Sequence, residues 1–206
     1  GNNASTTYAG VISGASGSLT KTGTGTQILT GDSTYTGATT ISAGTLLANN
    51  TSGSATGTGA VAVGSGATLG GTGSITGALT VNSGGTLSPG VALETLGSGA
   101  VTFNTGSTFK VDLDSSVATS VGADLQVVNG SMSLFGIVNL DLADLAVAPT
   151  AFPGNTTFTL ANYSGTWNGG LFRVGGVDIA NGSTFTVGLN TWRLDYDASV
   201  GGANFS

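Results

Sequence analysis

The sequence has no cysteine and no histidine, and it holds four Lys+Arg against ten Asp+Glu in 206 residues. Without those two residue types, the zinc, haem and iron–sulfur ligand sets that depend on them are excluded. Ser-His-Asp and Cys-His catalysis are excluded for the same reason. No disulfide can support the fold. Four cations on a chain of net charge -6 cannot neutralise a phosphate backbone, which argues against a nucleic-acid partner. Charged residues make up 7% of the chain, where an ordinary soluble domain carries roughly 25%. No apolar run approaches the ~20 residues that span a bilayer as a helix, so no transmembrane segment is expected. No basic stretch followed by an apolar one opens the chain, and Gly1 therefore reads as a mature or trimmed end.

What the chain has instead is 37 glycines, 39% hydrophobic residues and only three prolines. That is enough apolar material for a core, and it lacks the high charge of a disordered chain. One phrase recurs: an apolar residue, two or three small residues, a Gly, then Thr and another apolar residue. It begins at Ile41, Val63, Val81 and Phe103, and each copy reaches its second apolar residue at Leu46, Leu69, Leu87 or Phe109. A fifth copy runs from Ile179 to Phe185. The first four lie about 18–22 residues apart, the length of one coil of a β-solenoid.

Each copy reads as two short strands joined by a tight turn. The small residues supply the positive-φ position that the turn requires. Around it Thr40 and Thr45 face out while Ile41 and Leu46 face in, the period-two pattern of a strand. The frequent Gly argues against helices. Val138 to Val147, with alternating Leu140 and Leu142, also favours a strand. Stacked coils would place Ile41, Val63, Val81 and Phe103 in one inner ladder and Thr45, Thr68, Thr86 and Thr108 in an outer one. Nine or ten coils would give a rod of about 45 Å. The expected fold is all-β, a right-handed parallel β-helix with coils of 18–22 residues and a less regular C-terminal part.

Composition changes near residue 110. Residues 1–110 are read as regular Gly/Thr-rich coils. Residues 111–206 hold most of the Asp and Phe and all of the Trp and Arg, and are read as less regular coils ending in an aromatic cap. The segment 147–154, with two of the three prolines, is the expected loop or boundary.

The stretch from Leu29 to Leu46, continued by Gly70 to Gly77 and Gly85 to Gly90, resembles the passenger-associated transport repeat (the autotransporter-associated β-strand repeat). The tail, Phe185 to Tyr196 with 201–205, is similar to the last part of related bacterial surface proteins. The resemblance implies a right-handed parallel β-helix displayed outside the cell. It implies no catalytic residues, because the repeat is a scaffold that hosts many functions.

Candidate site residues are few. Asp112 and Asp114 lie two apart, as do Asp195 and Asp197, so each pair would share one strand face. Asp112 and Asp114 are the calcium candidates, and acid–base glycosidic chemistry is the remoter reading. A charged strand edge that discourages unwanted pairing is the preferred one. Tyr163, Trp167 and Trp192 could form a platform for sugar rings, although packing in a cap is favoured. Tyr8, Val11 and Ile12 bring apolar character to an N-terminus with no preceding repeat copy, and are the expected contacts between subunits. The expectation is thus a secreted or cell-surface structural protein without enzyme activity or cofactor. It would associate end to end with copies of itself as a fibre or matrix subunit. A glycan-binding adhesin is the alternative, and a polysaccharide-degrading enzyme a distant third.

Overall fold

The computed structural model describes residues 3–90, 92–116, 122–147, 149, 151 and 156–196, together with the backbone of 203–205. Most of the expected boundary at 147–154, as well as Asp197 and residues 201 and 202 of the tail, lie outside the described residues. The first strands in chain order are β1 (Thr6–Tyr8), β2 (Leu19–Lys21), β3 (Thr26–Leu29), β4 (Thr39–Ile41), β5 (Gly44–Ala48), β6 (Val61–Val63) and β7 (Ala67–Gly71). There follow β8 (Leu79–Val81), β9 (Thr86–Pro89), β10 (Thr95–Ser98), β11 (Val101–Phe103), β12 (Thr108–Leu113), β13 (Leu125–Val128) and β14 (Met132–Leu134). The last are β15 (Ile137–Asp144), β16 (Ala161–Tyr163), β17 (Leu171–Val174), β18 (Val177–Ile179), β19 (Thr184–Val187), β20 (Asn190–Arg193) and β21 (Ala203–Phe205). No helix among the described residues is long and apolar enough to cross a membrane.

The strands sort into stacked sheets, and the fold is a parallel β-solenoid. One sheet stacks β1-β3-β5-β7-β9-β12-β15-β17, each parallel to the next. A second stacks β2-β4-β6-β8-β11-β14, again parallel. The registers carry like residues onto like. Ile41, Val63, Val81, Phe103 and Leu134 are successive partners in the second sheet. Leu46, Leu69, Leu87, Phe109 and Leu140 match across the first sheet, except that Leu87 and Phe109 close one link of a shorter pairing. All ten side chains are buried. The outward column beside them is Thr26, Thr45, Thr68, Thr86 and Thr108.

The corner between the two sheets is a glycine turn. Gly44, Gly66, Gly84 and Gly106 all sit at φ between 67 and 80°, three residues past the inward Ile41, Val63, Val81 and Phe103. The Gly66 N–H donates to the Gly84 carbonyl, and the Gly84 N–H donates to the Gly106 carbonyl, both at 2.9 Å. The turn therefore stacks through its own backbone as the strands do. A side chain here would be held in the left-handed region, which costs an L-residue roughly 1–2 kcal/mol.

Three features depart from the regular expectation. Coils lengthen after Phe103: its partner is Leu134, and the partner of Asn139 is Arg173. The extra residues build a third wall from β10, β13 and β16, parallel to one another, with β21 antiparallel beside β16. The fifth repeat copy does not make a coil. Ile179 ends β18, which turns back antiparallel on β17, and Phe185 lies in the antiparallel hairpin β19–β20. The phrase encodes strand, turn and strand, and which strand pairs with which is decided by packing. Among the described residues the first sheet has eight parallel rungs, about 34 Å from first to last strand, rather than nine or ten.

The core ends in aromatics. Phe109 stacks on Phe172 at 5.8 Å, and Phe172 on Tyr196 at 6.3 Å. Tyr196 stacks on Trp167 at 5.4 Å. The Tyr196 hydroxyl accepts from the Phe172 N–H at 2.8 Å and donates to the Ile179 carbonyl at 3.0 Å. The antiparallel turn of β18 is thereby fastened over the last parallel rung.

The corner is the place to test the coil. At Gly84, φ is 73° and a Cβ would lie 2.5 Å from Ser65 Oγ. Gly84→Ala should lower stability by about 1–2 kcal/mol, with Gly84→Asn less damaging because Asn tolerates that conformation better. Thermal unfolding of the two variants measures the difference.

Candidate functional site

Three places bring together side chains with chemical potential. The first is a cleft near the C-terminal end, about 360 Å³ in volume. Leu113, the last residue of β12, and Leu142, in β15, form its solenoid wall. Phe158 forms another side, and Phe185 and Trp192 from the β19–β20 hairpin face it. Thr156, Thr157 and Thr191 add hydroxyls, and Arg193 and Asp195 stand at the hairpin end. The Arg193 guanidinium donates to Asp195 Oδ2, with Nε at 2.9 Å and Nη2 also in contact. The Trp192 indole N–H points to the Val187 carbonyl at 3.4 Å, and its ring lies 6.1 Å from Phe158.

Of the three aromatic residues expected to form a platform, only Trp192 lines this cleft. Tyr163 is 1% exposed. Trp167 is stacked on Tyr196, and its backbone bridges to Met132 along the stacking direction. Both belong to the core end, because a ring of that size covers an open layer of apolar side chains. Phe158 and Thr191 were not singled out by the sequence, and Phe185 only as the end of the fifth repeat copy and the start of the tail; no spacing joins 156–158 to 185–195.

The second place is the first rung. Tyr8, Ile12, Leu19, Leu29 and Leu46 line an open notch of about 360 Å³. Tyr8 is 46% and Val11 57% exposed, while Ile12 is half-buried and its N–H donates to Ser33 Oγ. Lys21 pairs in register with Ile41, so it occupies the rung position that the inner ladder gives to apolar residues. Its ammonium donates to the carbonyls of Thr22, Gly23 and Ala43 at 2.9, 2.7 and 3.1 Å. Gln27 takes the ladder position of Leu46, and its amide donates to the carbonyls of Thr6 and Ile28. Comparing Leu19-Thr20-Lys21 with Thr39-Thr40-Ile41 would have revealed this substitution in the ladder.

The third place is a carboxylate junction. Asp112 forms an ion pair with Lys110. Asp114 instead accepts from the backbone N–H and the hydroxyl of Ser116. The two carboxylates expected as a calcium pair thus have separate partners, since Asp114 falls beyond the end of β12 where the alternation stops. Among the described residues no group of three or more acidic, His or Cys side chains is placed to hold a metal. Asp195 pairs with Arg193, and its expected companion Asp197 lies outside the described residues.

The acid that matters at this junction is Asp124, fully buried. It accepts from the backbone N–H groups of Asp112 at 3.0 Å and Glu94 at 3.1 Å, tying the third wall to β12. Burial pushes its pKa up to about 7. The two backbone donors and Lys110 pull the other way, and Asp112 adds to the rise. The folded state therefore holds this proton more tightly than the unfolded chain. The resulting stability is fully present below the ordinary aspartate value and is lost as pH rises through about 7. The unfolding temperature should fall between pH 5 and pH 8, and Asp124→Asn should flatten that slope. An unchanged slope in the variant would remove Asp124 as its source.

Comparison with known proteins places a family match in the regular coils. Residues 19–48 fit the family model of the passenger-associated transport repeat. Those residues are β2 to β5, two successive strands of each main sheet. A stretch of 72 residues is 46% identical to the adhesin BmaC autotransporter of Brucella suis biovar 1 (strain 1330). It covers 35% of this chain and 2% of that much longer protein. The chain thus carries a passenger-associated transport repeat at residues 19–48 and is similar to autotransporter passenger repeat proteins.

Proposed function

We propose that the chain is a non-catalytic structural segment of a bacterial surface protein, exposed outside the cell, which associates with copies of itself through its first rung. The similarity to passenger repeats supports the extracellular setting. The observation that carries the self-association is the exposed edge at the first described rung, set against the covered rung at the other side of the described stack. At the C-terminal side, β18 turns back antiparallel on β17, and Phe172, Tyr196 and Trp167 stack over the core. Among the described residues, β1 and β2 are edge strands of their sheets, and the notch beside them combines the apolar Tyr8, Ile12, Leu19, Leu29 and Leu46 with Lys21 and Gln27. An edge of this kind invites pairing. Two such ends meeting head to head form a closed pair, whereas a fibre would need a second compatible surface at the opposite end.

The outward column from Thr26 to Thr108 fits a structural role. It is uncharged and repeats at the strand spacing, so neighbouring rungs pair hydroxyls and methyls without like charges facing each other. The adhesin reading is favoured by one observation, the mixed polar and aromatic cleft at Trp192.

Analytical ultracentrifugation over a range of concentrations tests the proposal. The expected result is a monomer–dimer equilibrium that Tyr8→Lys combined with Val11→Lys shifts to monomer. Monomer at every concentration would end the self-association reading. Filaments seen by electron microscopy in both the parent and the double variant would end the head-to-head form.

A further inference from the structure

We propose that the cleft between the solenoid wall and the β19–β20 hairpin is a binding site for a neutral sugar, a mono- or disaccharide unit of a glycan. Its volume, about 360 Å³, is within the ~300–1,000 Å³ of small-ligand sites. A sugar ring has a C–H face and a rim of hydroxyls, and the cleft has both complements. Phe158, Phe185 and Trp192 provide the apolar side, and the threonines at 156, 157 and 191 provide hydroxyls.

Charge selects the ligand class. Among the described residues, the charged side chains that line the cleft are Arg193 and Asp195, and they are paired with each other. An anionic ligand would have to compete with Asp195 for the guanidinium, and a cationic one would meet Arg193. A neutral hydroxyl can instead donate to the carboxylate or accept from the guanidinium with the pair intact. A purely apolar ligand would bury these polar groups without hydrogen bonds, which is costly.

Position is also fixed in advance. Trp192 is on a strand, not a loop, and is steadied by the Val187 carbonyl and by Phe158. Sites on strands hold their geometry better than sites on loops. Tyr163 and Trp167 take no part, since both are committed to the core end.

The inference deepens the surface-protein reading, because a glycan site has a use only where glycans are reachable. The two can fail separately: sugar binding is read on the purified chain, and exposure is read by protease or antibody access on intact cells. The binding experiment titrates the full chain with a panel of neutral mono- and disaccharides, with glucuronic and galacturonic acids as charged comparisons. Tryptophan fluorescence and chemical-shift changes are the readouts. At least one neutral sugar should bind in the millimolar range or tighter. Thr191→Val, at an exposed position, and Trp192→Phe should each weaken that binding about tenfold or more. Trp167→Phe should leave the affinity unchanged. Circular dichroism establishes that each variant is folded. No binding by any neutral sugar, preference for the charged sugars, or binding unaffected by both cleft variants would overturn the proposal.

Discussion

Parallel pairing in register is the constraint on which the rest of this structure depends. Each rung satisfies its backbone N–H and C=O groups on the rungs above and below. Every residue therefore has its equivalents ~4.8 Å away along the stack. Apolar residues gain from this and build the ladders through Ile41 and Leu46. Threonine tolerates it on the outside, from Thr26 to Thr108. Like charges do not: at about 4 Å their repulsion is ~1 kcal/mol in water and several times that near a protein surface. The scarcity of charge in the first half of the chain follows from the stacking itself. Some of the charges that enter the main sheet meet opposite ones: Lys110 stands beside Asp112 and in register with Asp141, and Arg173 pairs with Asp178.

The outermost rungs of the described stack differ in how their core is covered. At one end, the aromatic train from Phe109 through Phe172 and Tyr196 to Trp167 covers the last apolar layer. The antiparallel β18 then turns the sheet edge away. At the other, Lys21 and Gln27 replace apolar members of the two inner ladders and turn their polar atoms onto backbone carbonyls. Lys21 and Gln27 share the lining of the notch with Tyr8, Ile12, Leu19, Leu29 and Leu46. The coupling between wall and end is also local. Asp124 joins the third wall to β12 through two backbone bonds, at the point where coils have lengthened to make that wall.

The regular coils were legible in the sequence because the same contact recurs at each rung. The phrase beginning at Ile41, Val63, Val81 and Phe103 gives turn, face and register together. Its fifth copy, at Ile179, carries the same local information but enters an antiparallel pairing. Local pattern encodes strand and turn, while the partner is chosen by long-range packing against Phe172 and Tyr196. The same gap explains the carboxylates. Two-residue spacing puts Asp112 and Asp114 on one face only while the strand lasts, and β12 ends at Leu113. It also explains the aromatics. Tyr163, Trp167 and Trp192 are alike in composition, but two belong to the core end and one to the cleft, a distinction made by tertiary packing alone.

Disulfide trapping tests the register most directly, because the chain has no native cysteine to interfere. Thr68 and Thr86 are partners in the pairing of β7 with β9, and Ser88 lies two residues further along the same face. Stacked in register, residues 68 and 86 fall within the ~4.4–6.8 Å Cα separation that a disulfide spans, and residues 68 and 88 fall at about 8 Å. Thr68→Cys with Thr86→Cys should oxidise to an intramolecular disulfide under native conditions, whereas Thr68→Cys with Ser88→Cys should stay reduced. Equal oxidation of the two pairs, or preference for the second, would contradict the stacked parallel coil.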